Sequence, residues 1–96
     1  MKFMAVGSTN TLTPEQRQKY MPSEVPATLQ LYLDGTIEQF WIRKNAAGVI
    51  FLLEVESADK AKAAVDGLPL TAAGLMSFEL LPVGPLAPLG LLLQKN

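Results

Sequence analysis

Val49-Ile50-Phe51-Leu52-Leu53 is an unbroken apolar run followed by Glu54. Successive side chains of a strand point to opposite faces, so a run that is apolar at every position reads as a strand covered on both sides, at the centre of a sheet. Just upstream, Lys44-Asn45-Ala46-Ala47-Gly48 has the length and glycine content of a hairpin loop, which pairs the run antiparallel with Ile37 to Arg43. In that preceding stretch Glu38, Phe40 and Ile42 alternate with Ile37, Gln39, Trp41 and Arg43. Such mixed faces are those of an edge strand.

Lys2 to Gly7 carries Phe3 and Ala5 on one side and Met4 and Val6 on the other, and so reads as a second central strand. Thr13-Pro14-Glu15-Gln16 opens a helix: an N-cap hydroxyl, proline at the first helical position and glutamine three residues after the cap. Pro22 and Pro26 each remove a backbone donor and crowd the preceding turn, which predicts a break or kink near Met21 to Ser23. Ser23 is then placed to cap a second segment, whose Val25, Leu29, Tyr32 and Leu33 form a stripe facing a core. Asp34-Gly35 closes that segment, with glycine suited to the left-handed position beyond a helix end.

Ser57 caps a further helix over Ala58 to Asp66, ended by Gly67 and Pro69, whose Ala61, Ala64 and Val65 allow close approach to a sheet. Leu75 to Leu81 reads as the last strand. From Pro82 to Asn96 the chain is an apolar tail punctuated by Pro85 and Pro88, expected to pack on a partner subunit. The order β-α-β-β-α-β defines an α+β, ferredoxin-like split-βαβ domain spanning residues 1–96, with a four-stranded antiparallel sheet in the order 4-1-3-2 and both helices on one face.

Two helices cover one face of such a sheet, yet both central strands are apolar on both faces. A second copy of the chain is the economical cover, as a homodimer or higher homo-oligomer. The composition agrees: 49% hydrophobic residues in 96 and a mean hydropathy of +0.22 are high for a domain with so much surface per volume.

Eight Lys+Arg against nine Asp+Glu, a net charge of −1, leave no basic stripe for nucleic acid or an anionic membrane. The absence of Cys and His removes disulfides, thiolate and imidazole chemistry and the usual zinc or copper ligand sets. No cofactor or metal is expected. The apolar start Met1 to Val6 is too short for a signal peptide and Val83 to Leu93 too short and interrupted for a membrane span, so the chain reads as cytoplasmic.

Gly35-Thr36, Trp41 in the following strand, Ser57 opening the second helix and Leu68-Pro69-Leu70 after it resemble the pattern of the muconolactone isomerases and the small bacterial proteins similar to them, across roughly Glu24 to Leu81. The resemblance implies a dimeric α+β barrel in which two sheets pack face to face, with pockets between each sheet and its own helices. It also implies proton transfer within a small unsaturated lactone without cofactor or metal. The chain departs from that pattern at Pro22, at Pro26 and in its tail.

Moving a proton between carbons requires a base that becomes an acid, held in a pocket dry enough to tune it. Glu24, beside the expected helix break, reads either as that group or as a first-turn glutamate favoured by the helix dipole. Glu54 ends an apolar strand and is either paired or functional, or else reaches solvent, with Glu38, at the sheet's end. Its expected cross-strand neighbour is Glu38, and facing carboxylates favour one of the pair holding a proton. Trp41 and Arg43, sharing a face with Gln39, form a set able to stack on and anchor a flat anion, or else an interface tryptophan beside a surface arginine. Tyr20 offers a hydrogen bond to a substrate carbonyl, or packs.

Three functions therefore stand: a cofactor-independent isomerase acting on a small unsaturated or aromatic carbonyl compound, a non-catalytic protein binding a small hydrophobic or aromatic ligand, and a cofactor-free oxygenase or cyclase.

Overall fold

The central apolar runs lie side by side. The computed structural model describes residues 1–84 and contains β1 (Lys2–Thr9), α1 (Pro14–Leu33), β2 (Ile37–Ile42), β3 (Gly48–Glu54), α2 (Ala58–Asp66), α3 (Pro69–Ala72) and β4 (Met76–Val83). The sheet order is β2-β3-β1-β4 with every pairing antiparallel, the ferredoxin-like arrangement expected from the sequence. The tail expected to pack on a partner falls almost wholly on residues 85–96 and so lies outside the described residues. Its first two positions, Pro82 and Val83, instead complete β4. Among the described residues no helix is long and apolar enough to cross a membrane.

Phe3, Ala5, Phe51 and Leu53 point to the helix-covered face, where Ile37, Ala61, Val65 and Leu68 join them in one buried cluster. Ala61 is fully buried, and its small side chain lets α2 lie close over β1 and β4, while α1 leans over β2. The caps follow the sequence. Gln16 N–H donates to Thr13 Oγ1 at 3.1 Å, Thr13 N–H to Gln16 Oε1 at 3.0 Å, and Lys60 N–H to Ser57 Oγ at 3.2 Å.

The expected break in the first helix is absent: α1 runs through Pro22 and Pro26. The prolines are four residues apart and hence on one helix face. Both are exposed, so the carbonyls they leave unbonded can turn to water. Ser23 does not cap a new segment; its hydroxyl donates to Tyr20 O at 3.1 Å within the same helix. Because the helix is not restarted, its inward face also differs. Glu24 is buried and Ala27 and Leu31 pack on the core, whereas the expected core stripe is left half or more exposed at Val25, 55%, and Leu33, 69%, and outside the core cluster.

A bulge between Ile37 and Gln39 corrects a second expectation. Ile37 pairs with Leu53, Phe40 with Phe51 and Ile42 with Val49 on the helix side, while Gln39 and Trp41 lie opposite Leu52 and Ile50 on the other. Strict alternation would have put Ile37 with Trp41; the extra residue sends it into the core.

At the β2-β3 turn Gly48 adopts φ +148°, and a Cβ built there would stand 1.9 Å from the Gly7 carbonyl oxygen. Gly35, at φ +83° beyond the end of α1, has open space around it. Gly35→Ala is therefore expected to cost the ordinary penalty of a left-handed alanine, about 1–2 kcal/mol. Gly48→Ala should cost clearly more, since backbone must also move. Urea denaturation of the two variants checks this ordering.

Candidate functional site

α1 and the β2-β3 side of the sheet do not close on each other. Between them is a cavity of about 390 Å³ lined by Met21, Glu24, Thr28, Phe40, Phe51 and Leu70, with Val25, Leu29, Ile42, Val49 and Met76 around them and Trp41 at its border. It exists because the inward face of α1 carries small or polar residues, Glu24, Ala27 and Thr28, opposite large rings on the sheet. Tyr32 stacks on Phe40 with ring centroids 5.0 Å apart, joining the last turns of the helix to the edge strand.

Glu24 is the buried charged residue of the described chain, 7% exposed. Its carboxylate is held on both oxygens: Leu70 N–H donates to Oε1 at 2.9 Å and the Thr28 hydroxyl to Oε2 at 3.3 Å. Leu70 lies in the first turn of α3, where a backbone N–H has no partner within the helix. The carboxylate thus ties α1 to α3 as well as facing the cavity. No Lys or Arg pairs with it among the described residues.

Most of the other residues singled out in the sequence are placed elsewhere. Glu54 is exposed at the sheet's end, 3.6 Å from the Met1 amine and 3.9 Å from Lys2 Nζ. It does not face Glu38 directly, as the sequence led us to expect. Glu54 N–H donates to Thr36 O at 2.9 Å, and Glu38 sits in the bulge. Both carboxylates instead converge on Lys2, whose ammonium also hydrogen-bonds Glu38. Arg43 is anchored on β1, with Nη1 donating to Ser8 Oγ at 2.8 Å. Trp41 pairs with Ile50 in the register of the sheet, between Phe40 and Ile42, and is the one proposed binder that also borders the cavity. Tyr20 is half-buried one turn before Glu24 and is not in the cavity wall.

The cavity therefore gathers Glu24, with Trp41 at its border, without Glu54, Arg43 or Tyr20. Thr28, Phe40 and Phe51 are functional candidates that sequence reasoning missed. Thr28 is four residues after Glu24, a spacing that puts both on one helix face and offers a signal in retrospect.

No protein-family model and no curated protein matches the chain. Its fold is the ferredoxin-like α+β class defined by the sheet order. It is shared by 5-chloro-2-hydroxyhydroquinone dehydrochlorinase (TftG) of Burkholderia phenoliruptrix AC1100, solved in complex with 2,5-dihydroxybenzoquinone. That structure superposes with a TM-score of 0.70 at 18% identity, covering 88% of this chain and 94% of the other. At that identity the likeness establishes the fold.

Two outcomes follow from the geometry. Glu24→Leu leaves the Leu70 N–H buried without a partner and is expected to cost about 1–3 kcal/mol, against a smaller loss for Glu24→Gln, which keeps an acceptor; denaturant titration separates them. The Lys2 pKa is raised, first by its hydrogen bond to Glu38, which outweighs the opposing effect of desolvation, and then by the charges of Glu38 and Glu54. A raised folded-state pKa means that this group's contribution is present at neutral pH and is lost as pH rises through the folded value. NMR titration of the Lys2 ammonium should show the raised value fall back in Glu38→Gln.

Proposed function

We propose that the chain binds and transforms a small unsaturated or aromatic carbonyl compound or lactone by cofactor-independent proton transfer, with Glu24 as the acid/base. The observation that carries this reading is the Glu24 carboxylate, buried in an apolar cavity and held in place by Leu70 N–H and Thr28. In a chain without His or Cys, a carboxylate is among the few groups able to take a proton and return it. Bonds on both oxygens fix its position before any ligand arrives, which is what general acid/base catalysis needs. Phe40, Phe51 and Met76 supply an apolar wall against which a planar ring can lie. TftG, a dehydrochlorinase solved with a quinone ligand on the same fold, is a precedent for small-ring chemistry on this scaffold and supports the general reading more than isomerisation itself.

We also propose that the chain assembles as a homodimer through the sheet face away from the helices. Met4, Val6, Ile50 and Leu52 lie in register on the face away from the helices, with Trp41 and Leu81 on the flanking strands. Trp41 and Leu81 are 45% and 44% exposed. A contiguous apolar face of this kind is unusual on a monomer, and a second copy related by a two-fold axis covers it with its own equivalent. In that arrangement Trp41 and Arg43 serve the interface, and Glu54 and Lys2 its polar rim.

A non-catalytic ligand-binding role is favoured by one specific observation: Glu24 already has a structural partner in Leu70 N–H. Screening the purified protein against small lactones and hydroxylated aromatic compounds, with product detection by mass spectrometry, separates the readings. Turnover that falls about 10²–10⁴-fold in Glu24→Gln supports catalysis; binding without turnover in the unaltered chain supports the second reading. Light scattering should show a dimer at micromolar concentration and a monomer for Ile50→Glu. A stable monomer of the unaltered chain removes the assembly part.

A further inference from the structure

We propose that the cavity selects an uncharged, hydroxylated single-ring compound, whose O–H donates to Glu24, and rejects rings bearing a carboxylate. The inference rests on the reading of this cavity as the ligand site, and narrows the ligand class by hydrogen-bond accounting. A carboxylate offers about four lone-pair positions. Two are taken, one by Leu70 N–H and one by the Thr28 hydroxyl. Thr28 has a single hydroxyl hydrogen, and Glu24 receives it, so what Thr28 still offers is its oxygen lone pairs. Glu24 and Thr28, held at the inner end of the cavity, thus present acceptors, and the ligand group complementary to them is a donor.

Charge acts in the same direction. A ligand carboxylate would bring further acceptors and a second negative charge against a carboxylate that is itself buried. The cation that the sequence pattern offered for an anion, Arg43, is bound to Ser8 on the far face of the sheet. The remaining wall, Phe40, Phe51, Leu70 and Met76 among it, is apolar. The volume, about 390 Å³, is near the lower end of the about 300–1,000 Å³ of small-molecule pockets and suits one substituted ring rather than a fused system.

Isothermal titration calorimetry of the unaltered chain at neutral pH in deoxygenated buffer tests this with three probes: hydroquinone, 1,4-dimethoxybenzene, which lacks the donor, and 4-hydroxybenzoate, which adds the charge. Hydroquinone is expected to bind at least about tenfold more tightly than either, and Glu24→Gln, which keeps an acceptor for Leu70 N–H, should narrow the gap to 4-hydroxybenzoate. Equal or tighter binding of either comparator, or no binding of hydroquinone, overturns the inference. The selectivity stands or falls apart from catalysis. Hydroquinone bound without any turnover keeps it and defeats the catalytic reading, whereas turnover of a carboxylated ring does the reverse.

Discussion

The ladder between β1 and β3, from Lys2 opposite Glu54 to Ser8 opposite Gly48, is the constraint from which the rest of the structure follows. Both strands are apolar on both sides, so whichever face the helices cover, another remains to be covered. Phe3, Ala5, Phe51 and Leu53 take the helix side because α2 presents Ala61 and Val65 closely enough to seal over them. Met4, Val6, Ile50 and Leu52 are left on the other side by the same register. Slipping either strand by one residue would exchange the two sets and put the larger rings where no helix stands. Pairing at the centre of the sheet thus decides at once which residues form the core and which face is available for assembly.

What was legible in the sequence was what local chemistry decides. The apolar runs identified the central strands, Thr13 and Ser57 marked the helix starts, and the order of elements predicted the sheet order. What was not legible depended on partners remote in sequence. The prolines of α1 are locally helix-breaking, and only the side on which the helix is buried shows that both face solvent, where a lost hydrogen bond is replaced by water. The bulge at Glu38 leaves no mark in residue type, yet it decides whether Ile37 shares a face with Trp41 or with Phe40. The bond from Leu70 N–H to Glu24 spans 46 positions and has no local signal.

These two features determine the candidate site together. With α1 unbroken, Glu24 faces the sheet and Val25 and Leu29 stand at the cavity's rim; a restarted helix would have exchanged those roles. With β2 bulged, Phe40 and Ile42 become walls of the cavity, Trp41 reaches its border, and Gln39 lies opposite Leu52 on the face away from the helices. Of the residues that looked like one constellation in the sequence, Glu24 and Trp41 meet at the cavity, while Arg43 is held away from it on Ser8.

That division weighs on how Glu24 is to be understood. A carboxylate kept only to bridge α1 and α3 would gain nothing from a cavity beside it, and packing side chains against it would be the more stable arrangement, since voids cost dispersion energy and buried charge costs solvation. Here the helix places Ala27 and Thr28 next to Glu24 and leaves a cavity between it and the wall formed by Phe40 and Phe51. The structural bond to Leu70 N–H occupies one oxygen and Thr28 restrains the other, which leaves lone pairs of a positioned carboxylate directed at an apolar space. The bridge to α3 and a role toward a ligand are therefore compatible: the first holds the carboxylate still, and stillness is what the second requires.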